Sequence, residues 1–406
     1  MEFERSMESL AREVASTFRA MVVSGPRQVG KTWLLRKVTK ALGGYEELSF
    51  DDPALVEQAR TDPGLFLQMH PGKLYLDEVQ RVPELFPAMK RELDREDGTG
   101  RYLMTGSQQF PMSKGLGESL AGRVGVLRLN GLTKAEAEGR PGVGGYVPTM
   151  TARGGGAGGG VRELYAAVVK GGYPECHRRP EMNVRRYFAS YIETYIERDV
   201  RDMVDISNVG TFRTFMRVCA ARTGQLLNYA DLARDSGVSV PTARKWLSML
   251  ETTGIVWLLH PYHNNLVKRA AKTPKLYFTD SGLCSHLLGV ASAEAGLESA
   301  ASGALLETFA VMEICKRHWY AGSDAHFWFF RDGEGREVDL LLEREGRLHP
   351  IEVKRATMVR ERDVRPGMRA FRAAAGASAG TGAVLYGGET FGALDSQTVL
   401  VPIAKM

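Results

Sequence analysis

Eight consecutive residues, Gly25-Pro26-Arg27-Gln28-Val29-Gly30-Lys31-Thr32, follow the pattern GxxxxGK[ST] and constrain the chain more than any other feature. A short apolar run, Ala20-Met21-Val22-Val23, precedes them and reads as a buried strand. A helical pattern from Thr32 to Leu42 follows. That context gives the spacing its physical sense. Glycines let the backbone curl so that its N–H groups converge on phosphate, and the helix N-terminus adds partial positive charge. Lys31 is then placed to reach the β- and γ-phosphates, and the Thr32 hydroxyl to hold Mg²⁺. The expected ligands are ATP and Mg²⁺, cradled by Gly25, Pro26, Arg27, Gln28, Val29, Gly30, Lys31 and Thr32.

Further short apolar runs at Leu48–Phe50, Lys73–Leu76 and Arg101–Thr105 alternate with helical patterns over Ala54–Gln68 and Glu84–Glu96. Strands alternating with helices predict an α/β unit around a parallel sheet. The run Leu74-Tyr75-Leu76 ends in Asp77-Glu78. Asp77 is expected in the first or second shell of the metal, and Glu78 is expected to orient and polarise the attacking water. Arg123, in Ser119-Leu120-Ala121-Gly122-Arg123, is a candidate to stabilise transition-state charge, in its own site or in a neighbour's. The second case requires a homo-oligomer.

The chain has 406 residues, more than one hydrophobic core accommodates, so several domains are expected. Residues 1–160 read as the P-loop domain, with a glycine-rich insertion at 139–160 expected to be a flexible surface excursion. Residues 161–222 read as a helical lid or linker, 223–290 as a winged helix, and 291–406 as a second α/β domain. The formal charge of +5 permits nucleic-acid binding without requiring it. Cys176, Cys219, Cys284 and Cys315 are widely spaced, which speaks for reduced thiols rather than a zinc site or a disulfide framework. The start of the chain is acidic and mixed rather than basic then apolar, and no stretch of 18 apolar residues occurs, so the expected location is the cytoplasm.

Leu226 to Ala233 reads as a helix, Asp235-Ser236-Gly237-Val238 as a tight turn, and Ser239-Val240-Pro241 as the capped start of a second helix. This is helix-turn-helix patterning, followed by a strand at Ile255–Leu259 and a wing in 260–278. Arg244 and Lys245 lie off the apolar face of the second helix. The wing carries Lys268, Arg269, Lys272 and Lys275. These cations are the candidates to meet nucleic-acid phosphates or base edges. Winged helices also serve as protein-binding modules, and the sequence leaves both uses open.

Near the C-terminus, Glu337-Val338-Asp339-Leu340-Leu341-Leu342 reads as a strand with Asp339 inside it, and Ile351-Glu352-Val353-Lys354 as another. Glu352 and Lys354 are two apart and share a face. Glu307 lies on the preceding helix. The set resembles the PD-(D/E)xK nuclease core, with Val338 where that pattern has proline. The resemblance implies metal-assisted phosphodiester hydrolysis. Asp339 and Glu352 would be the metal ligands, Glu307 would assist, and Lys354 would position or activate water. The other reading is a structural ion-pair cluster.

Taken together, the octet, Leu76-Asp77-Glu78, Thr105-Gly106-Ser107, Ser119 to Arg123, Gly171-Gly172-Tyr173-Pro174-Glu175, Tyr195-Ile196-Glu197-Arg198-Asp199 and the C-terminal strands resemble a known prokaryotic family. Its members couple an archaeal-ATPase-like AAA-type domain to a restriction-nuclease-like domain of unknown function. The resemblance spans nearly the whole chain. It implies that Ser107, with Gln108 in reserve, senses the γ-phosphate, and that Pro174 lies near the adenine as in the lids of related ATPases. Two functions then compete. One is an ATP-driven protein acting on DNA or RNA. The other is a non-nuclease, ATP-dependent switch that binds a protein partner.

Overall fold

The computed structural model describes residues 3–95, 97–106, 120–151, 159–179, 181–195, 209–262 and 273–406. Ser107, Gln108, Glu197, Arg198, Asp199, Lys268, Arg269 and Lys272 lie outside the described residues, as does most of the glycine run.

Five strands, β1 (Ala20–Ser24), β2 (Tyr45–Ser49), β3 (Lys73–Asp77), β4 (Tyr102–Gly106) and β5 (Val124–Arg128), form one parallel sheet in the order β2-β3-β4-β1-β5. The central strands are near-continuous apolar runs because both faces are covered. Met21, Val23 and Leu103 face α1 (Glu8–Thr17) and α2 (Lys31–Leu42). Val22, Leu76 and Met104 face the opposite layer, formed by α3 (Pro53–Thr61), α4 (Pro63–Met69) and α5 (Leu85–Arg95). The one helix expected over 54–68 is thus two. Pro63 disfavours the helical region for Asp62, which closes α3 in an extended conformation and caps α4 by accepting from the Leu65 N–H.

After α6 (Lys134–Ala137) the chain enters the glycine-rich stretch, part of which is packed rather than loose. Tyr146 and Val147 join the apolar core, and the carbonyls of Gly144 and Tyr146 accept bonds from Arg317 and His318. Two apolar side chains and two backbone acceptors anchor this half of the expected excursion.

Helices α7 (Val161–Lys170), α8 (Pro174–Arg178), α9 (Val184–Tyr195) and α10 (Val209–Ala221) lead to a small antiparallel sheet. Its strands β6 (Gln225–Leu226), β7 (Val256–Leu259) and β8 (Lys275–Phe278) are ordered β6-β8-β7. Helices α11 (Tyr229–Ser236) and α12 (Val240–Thr252) pack beside it. Gly237, left-handed at φ 68°, closes α11, and the Ser239 hydroxyl caps α12 by accepting from the Thr242 N–H.

Past α13 (Ser281–Leu287) and α14 (Ala293–Glu298) runs the long helix α15 (Ser302–Tyr320). It covers one face of a six-stranded mixed sheet made of β9 (His326–Arg331), β10 (Glu337–Arg344), β11 (Arg347–Lys354), β12 (Gly382–Tyr386), β13 (Gly392–Asp395) and β14 (Thr398–Pro402). The order is β13-β14-β12-β11-β10-β9. Helix α16 (Arg365–Ala375) covers the other face through Met368 and Phe371. One apolar cluster runs from Met7 through α7 and α15 to Ile403, so the units share a continuous core.

Candidate nucleotide site and carboxylate cluster

The octet leaves β1 at its C-terminal end and closes on the N-terminus of α2. Gly25 sits at φ 144°, and a Cβ there would lie 1.9 Å from the Leu129 carbonyl oxygen, so only glycine fits. Gly30, at φ 94°, is the left-handed residue from which α2 starts. Lys31 is only 6% exposed, its ammonium donating to the carbonyls of Gly25 (3.0 Å) and Pro26 (2.8 Å). The Thr32 hydroxyl donates to Asp77 at 3.2 and 3.3 Å.

Asp77 ends β3 with its carboxylate tied on two sides. Thr32 donates from the P-loop side, and the buried Thr105 hydroxyl, at the end of β4, donates to Oδ1. The Glu78 N–H donates to the same Thr105 oxygen at 3.1 Å. Glu78 adopts φ 55°, an uncommon conformation for a side-chain-bearing residue, and borders the cavity beside the octet. The Gln80 side-chain amide donates to its carboxylate. Burial, reinforced by the Asp77 charge, pushes the neighbouring Tyr75 phenol up.

The cavity measures about 770 Å³. Arg27, Gln28, Gly30, Lys31 and Thr32 form one wall, and Pro174, Tyr187 and Thr194 of the helical segment form the other. Pro174, expected near the nucleotide, borders the same space as the P-loop.

Arg5 is a contributor that sequence reasoning missed. It is 4% exposed and donates to the carbonyl of Val29 in the P-loop (2.6 Å), to Asn130 (2.9 Å) and to the Glu136 carboxylate (3.2 Å). Its guanidinium also lies over the Tyr320 ring of α15, 5.3 Å from the centroid. Nothing local distinguishes this arginine from a surface one.

Arg123 requires a correction. It precedes β5, and its carbonyl accepts from the Ala20 N–H, so it stands at the N-terminal edge of the sheet. The P-loop leaves the opposite edge, about 16 Å away along a strand of this length. Asp94 holds the guanidinium at 2.6 and 3.1 Å. A role in its own site is excluded by that separation.

In the C-terminal sheet the expected nuclease residues are only partly brought together. Glu307, in the second turn of α15, and Glu337 and Asp339 of β10 surround the ammonium of Lys275, at 3.3, 2.5 and 3.5 Å. Lys275 opens β8 of the middle unit and is 2% exposed. The sequence reading of Lys275 as a wing cation is thus overturned: it is an internal ion-pair partner. Tyr277 donates to Glu307 at 2.5 Å, and the Val353 N–H donates to Asp339 at 2.9 Å. Glu352 and Lys354 are bonded to each other at 2.7 Å and alternate with Ile351 and Val353, which pack under α15. The expected metal pair of Asp339 and Glu352 is not assembled with Glu307 into a ligand set. Among the described residues no group of three or more His, Cys, Asp or Glu side chains is placed to hold a metal ion. The physical reason is Lys275, a fixed cation where the carboxylates converge.

Burial pushes the Glu307 carboxyl up to about 7 and the Glu352 carboxyl up to about 8, the Asp339 charge adding to both. Burial works against the Lys275 charge, but Tyr277, Asp339, Glu307 and Glu337 more than offset it, so its pKa is raised well above the ordinary value.

Arg244 and Lys245 lie on the exposed side of α12, opposite the buried Ala243, Trp246, Leu247 and Leu250. The Arg244 guanidinium rests on the Tyr229 ring, 4.0 Å from its centroid. The four cysteines are buried and free. No helix among the described residues is long and apolar enough to cross a membrane.

Comparison with known proteins places this architecture. The chain is 31% identical over 354 residues to the "uncharacterized protein Rv2008c" of Mycobacterium tuberculosis, an alignment covering 86% of this chain and 74% of that protein. The "uncharacterized protein Mb2031c" of Mycobacterium bovis gives the same values. The chain belongs to the family of these two proteins. Residues 17–138 match the AAA domain family, 161–294 a domain of unknown function (DUF8612), and 302–406 another (DUF4143). This is therefore an AAA-type ATP-binding protein. Among solved structures, the Walker-type ATPase PABY2304 of Pyrococcus abyssi is 14% identical with a TM-score of 0.44, covering 70% of this chain and 96% of that one. The RuvB Holliday junction branch migration motor of Thermotoga maritima is 14% identical with a TM-score of 0.30, covering 63% and 89%.

Proposed function

We propose that this protein is an ATP-hydrolysing switch whose nucleotide site is the cavity between the octet and α8–α9. The observation that carries this is the bonded chain Thr32–Asp77–Thr105–Glu78 beside the helix N-terminus. Lys31 would lie against the β- and γ-phosphates. A hydroxyl and a carboxylate about 3 Å apart suit Mg²⁺, which keeps most of its waters and takes few protein ligands. Bound there, Mg²⁺ would neutralise charge on the phosphate oxygens. Thr105 fixes both the Asp77 carboxylate and the Glu78 backbone, which leaves the Glu78 side chain directed at the cavity to orient and deprotonate water. Arg123, excluded from its own site, would act only on a neighbouring copy, and only by exchanging Asp94 for phosphate.

For the rest of the chain, the Lys275 cluster favours the switch over a resident nuclease, because two of the three carboxylates expected for metal chemistry, Glu307 and Asp339, are engaged by an internal cation. The arrangement of α11, α12 and the β6-β8-β7 sheet supports a winged-helix reading. Exposed Arg244 and Lys245 on α12 favour a nucleic-acid partner for that unit.

The test is ATP affinity and turnover on three proteins. Glu78→Gln should keep ATP binding and lose turnover by about 10²–10⁴-fold. Lys31→Ala should lose binding itself. Undiminished turnover in Glu78→Gln refutes the assignment. Labelled DNA and RNA offered to wild type and to the Arg244→Ala/Lys245→Ala protein, with cleavage scored in Mg²⁺ or Mn²⁺, test the second half; metal-dependent cleavage sinks the switch reading.

A further inference from the structure

The far wall of the cavity carries an aromatic side chain with no role in phosphate chemistry. Tyr187, on α9, lines the same cavity as Lys31 and Thr32. Its hydroxyl donates to the Gln28 side-chain oxygen at 2.7 Å, bridging the helical segment to the P-loop. The ring is held from behind: Tyr191 stacks against it at 6.3 Å, and Tyr173, next to Pro174, meets it at 5.9 Å. Gln28 is itself fixed in the left-handed region at φ 61°. Tyr187 is thus a pre-positioned aromatic surface, braced on its own helix and tied across the cavity to the loop.

We propose that Tyr187 is the platform on which the nucleobase stacks, at the base end of the ATP site. The inference rests on the proposed ATP site. With the phosphates at the N-terminus of α2, the rest of the nucleotide must extend along the cavity, toward the wall formed by Pro174, Tyr187 and Thr194. A base needs an aromatic or apolar face there, because stacking is the interaction that every purine ring offers. The other aromatic ring on the cavity, Trp33, is less suited. It rides on the helix that caps the phosphates, and the Lys37 ammonium sits 4.6 Å from its ring centroid. The Gln28 bond gives Tyr187 a second consequence: a base resting on the ring holds α9 against the P-loop.

The experiment compares binding of ATP with binding of inorganic tripolyphosphate, which carries the phosphates and no base. Wild type, Tyr187→Ala and Tyr187→Phe are titrated calorimetrically. Tyr187→Ala should weaken ATP about tenfold, toward the low end of what stacking on one ring contributes. It should change tripolyphosphate by less than about twofold. Tyr187→Phe, which keeps the ring and drops the Gln28 bond, should bind ATP like wild type. Equal weakening of ATP and tripolyphosphate in Tyr187→Ala would make Tyr187 a structural prop of the loop and overturn the proposal. So would loss of ATP binding in Tyr187→Phe, or an unaltered ATP affinity in Tyr187→Ala. A wild type that binds neither compound removes the ATP site itself, an outcome separate from these.

Discussion

Replacing Lys275 by methionine tests how the C-terminal carboxylates are held. The substitution keeps the length and apolar body of the side chain and deletes one charge. In the folded protein that charge lies 3.3, 2.5 and 3.5 Å from Glu307, Glu337 and Asp339, at 2% exposure. Removing one partner of a buried ionic cluster leaves the others uncompensated and costs about 3–5 kcal/mol. The loss must depend on pH. The folded-state pKa values of Glu307, about 7, and Glu352, about 8, stand above the ordinary 4.5. Between those limits the native state keeps protons that the unfolded chain has released, so stability falls as pH rises through the window. Lys275 lowers both values. Without it they climb, and the fall becomes steeper and extends further. The deficit of Lys275→Met relative to wild type should therefore be smallest near about pH 5 and reach its full size near about pH 8.5. Urea unfolding in EDTA, followed by tryptophan fluorescence, measures it, since Trp319 and Trp328 lie in the C-terminal unit. A deficit equal at both pH values refutes the reasoning and assigns Lys275 a packing role alone.

Two further outcomes follow from the P-loop geometry. Gly25→Ala should abolish ATP binding while leaving the C-terminal unit folded, because the new methyl group meets the Leu129 carbonyl at 1.9 Å and the loop must shift; calorimetric titration with ATP checks this. Arg5→Ala should destabilise the P-loop unit by about 3–5 kcal/mol, since it strands the buried Glu136 carboxylate, and should weaken ATP through the lost bond to Val29; urea unfolding and ATP titration together report both effects.

The nucleotide site was legible in the sequence where its chemistry is contiguous. The octet is one uninterrupted loop between an apolar run and a helical pattern, and Asp77-Glu78 closes one apolar strand, so both could be proposed as candidates from local sequence. What joins them was not legible. Thr105 reaches Asp77 from 28 residues away, and Arg5 reaches Glu136 from 131. Neither leaves a local mark, apart from Thr105 being the polar end of an otherwise apolar strand. Lys275 shows how a local rule misleads. It follows a basic stretch and so looks solvated, yet Lys275-Leu276-Tyr277-Phe278 is a strand buried at every position. A lysine heading such a run was the available signal, because a charge there must find partners inside. Arg123 misled differently. Its place in sequence after β4 says nothing about which edge of a parallel sheet it occupies, and that edge decides which site it can serve.

Several buried polar and charged groups of this protein bond between units rather than within them. Apolar burial supplies most of the association, but it is non-directional and would tolerate several relative orientations. Hydrogen bonds to fixed backbone groups do not. Tyr320 donates to the Gly131 carbonyl and accepts from the Asn130 N–H, Lys316 donates to the Leu132 carbonyl, and Glu313 accepts from the Lys134 N–H. Four directional contacts from one half of α15 thus grip the segment that leaves β5, whose Leu129 carbonyl abuts Gly25. Thirteen residues back from Tyr320 along the same helix, about 20 Å at 1.5 Å per residue, Glu307 meets Lys275. A close-packed helix bonded at both ends transmits a displacement rather than absorbing it. The segment beside the P-loop and the carboxylate cluster, unrelated in sequence, are in this way held by one helix, whose Glu307 end makes the contact that the Lys275→Met comparison reads.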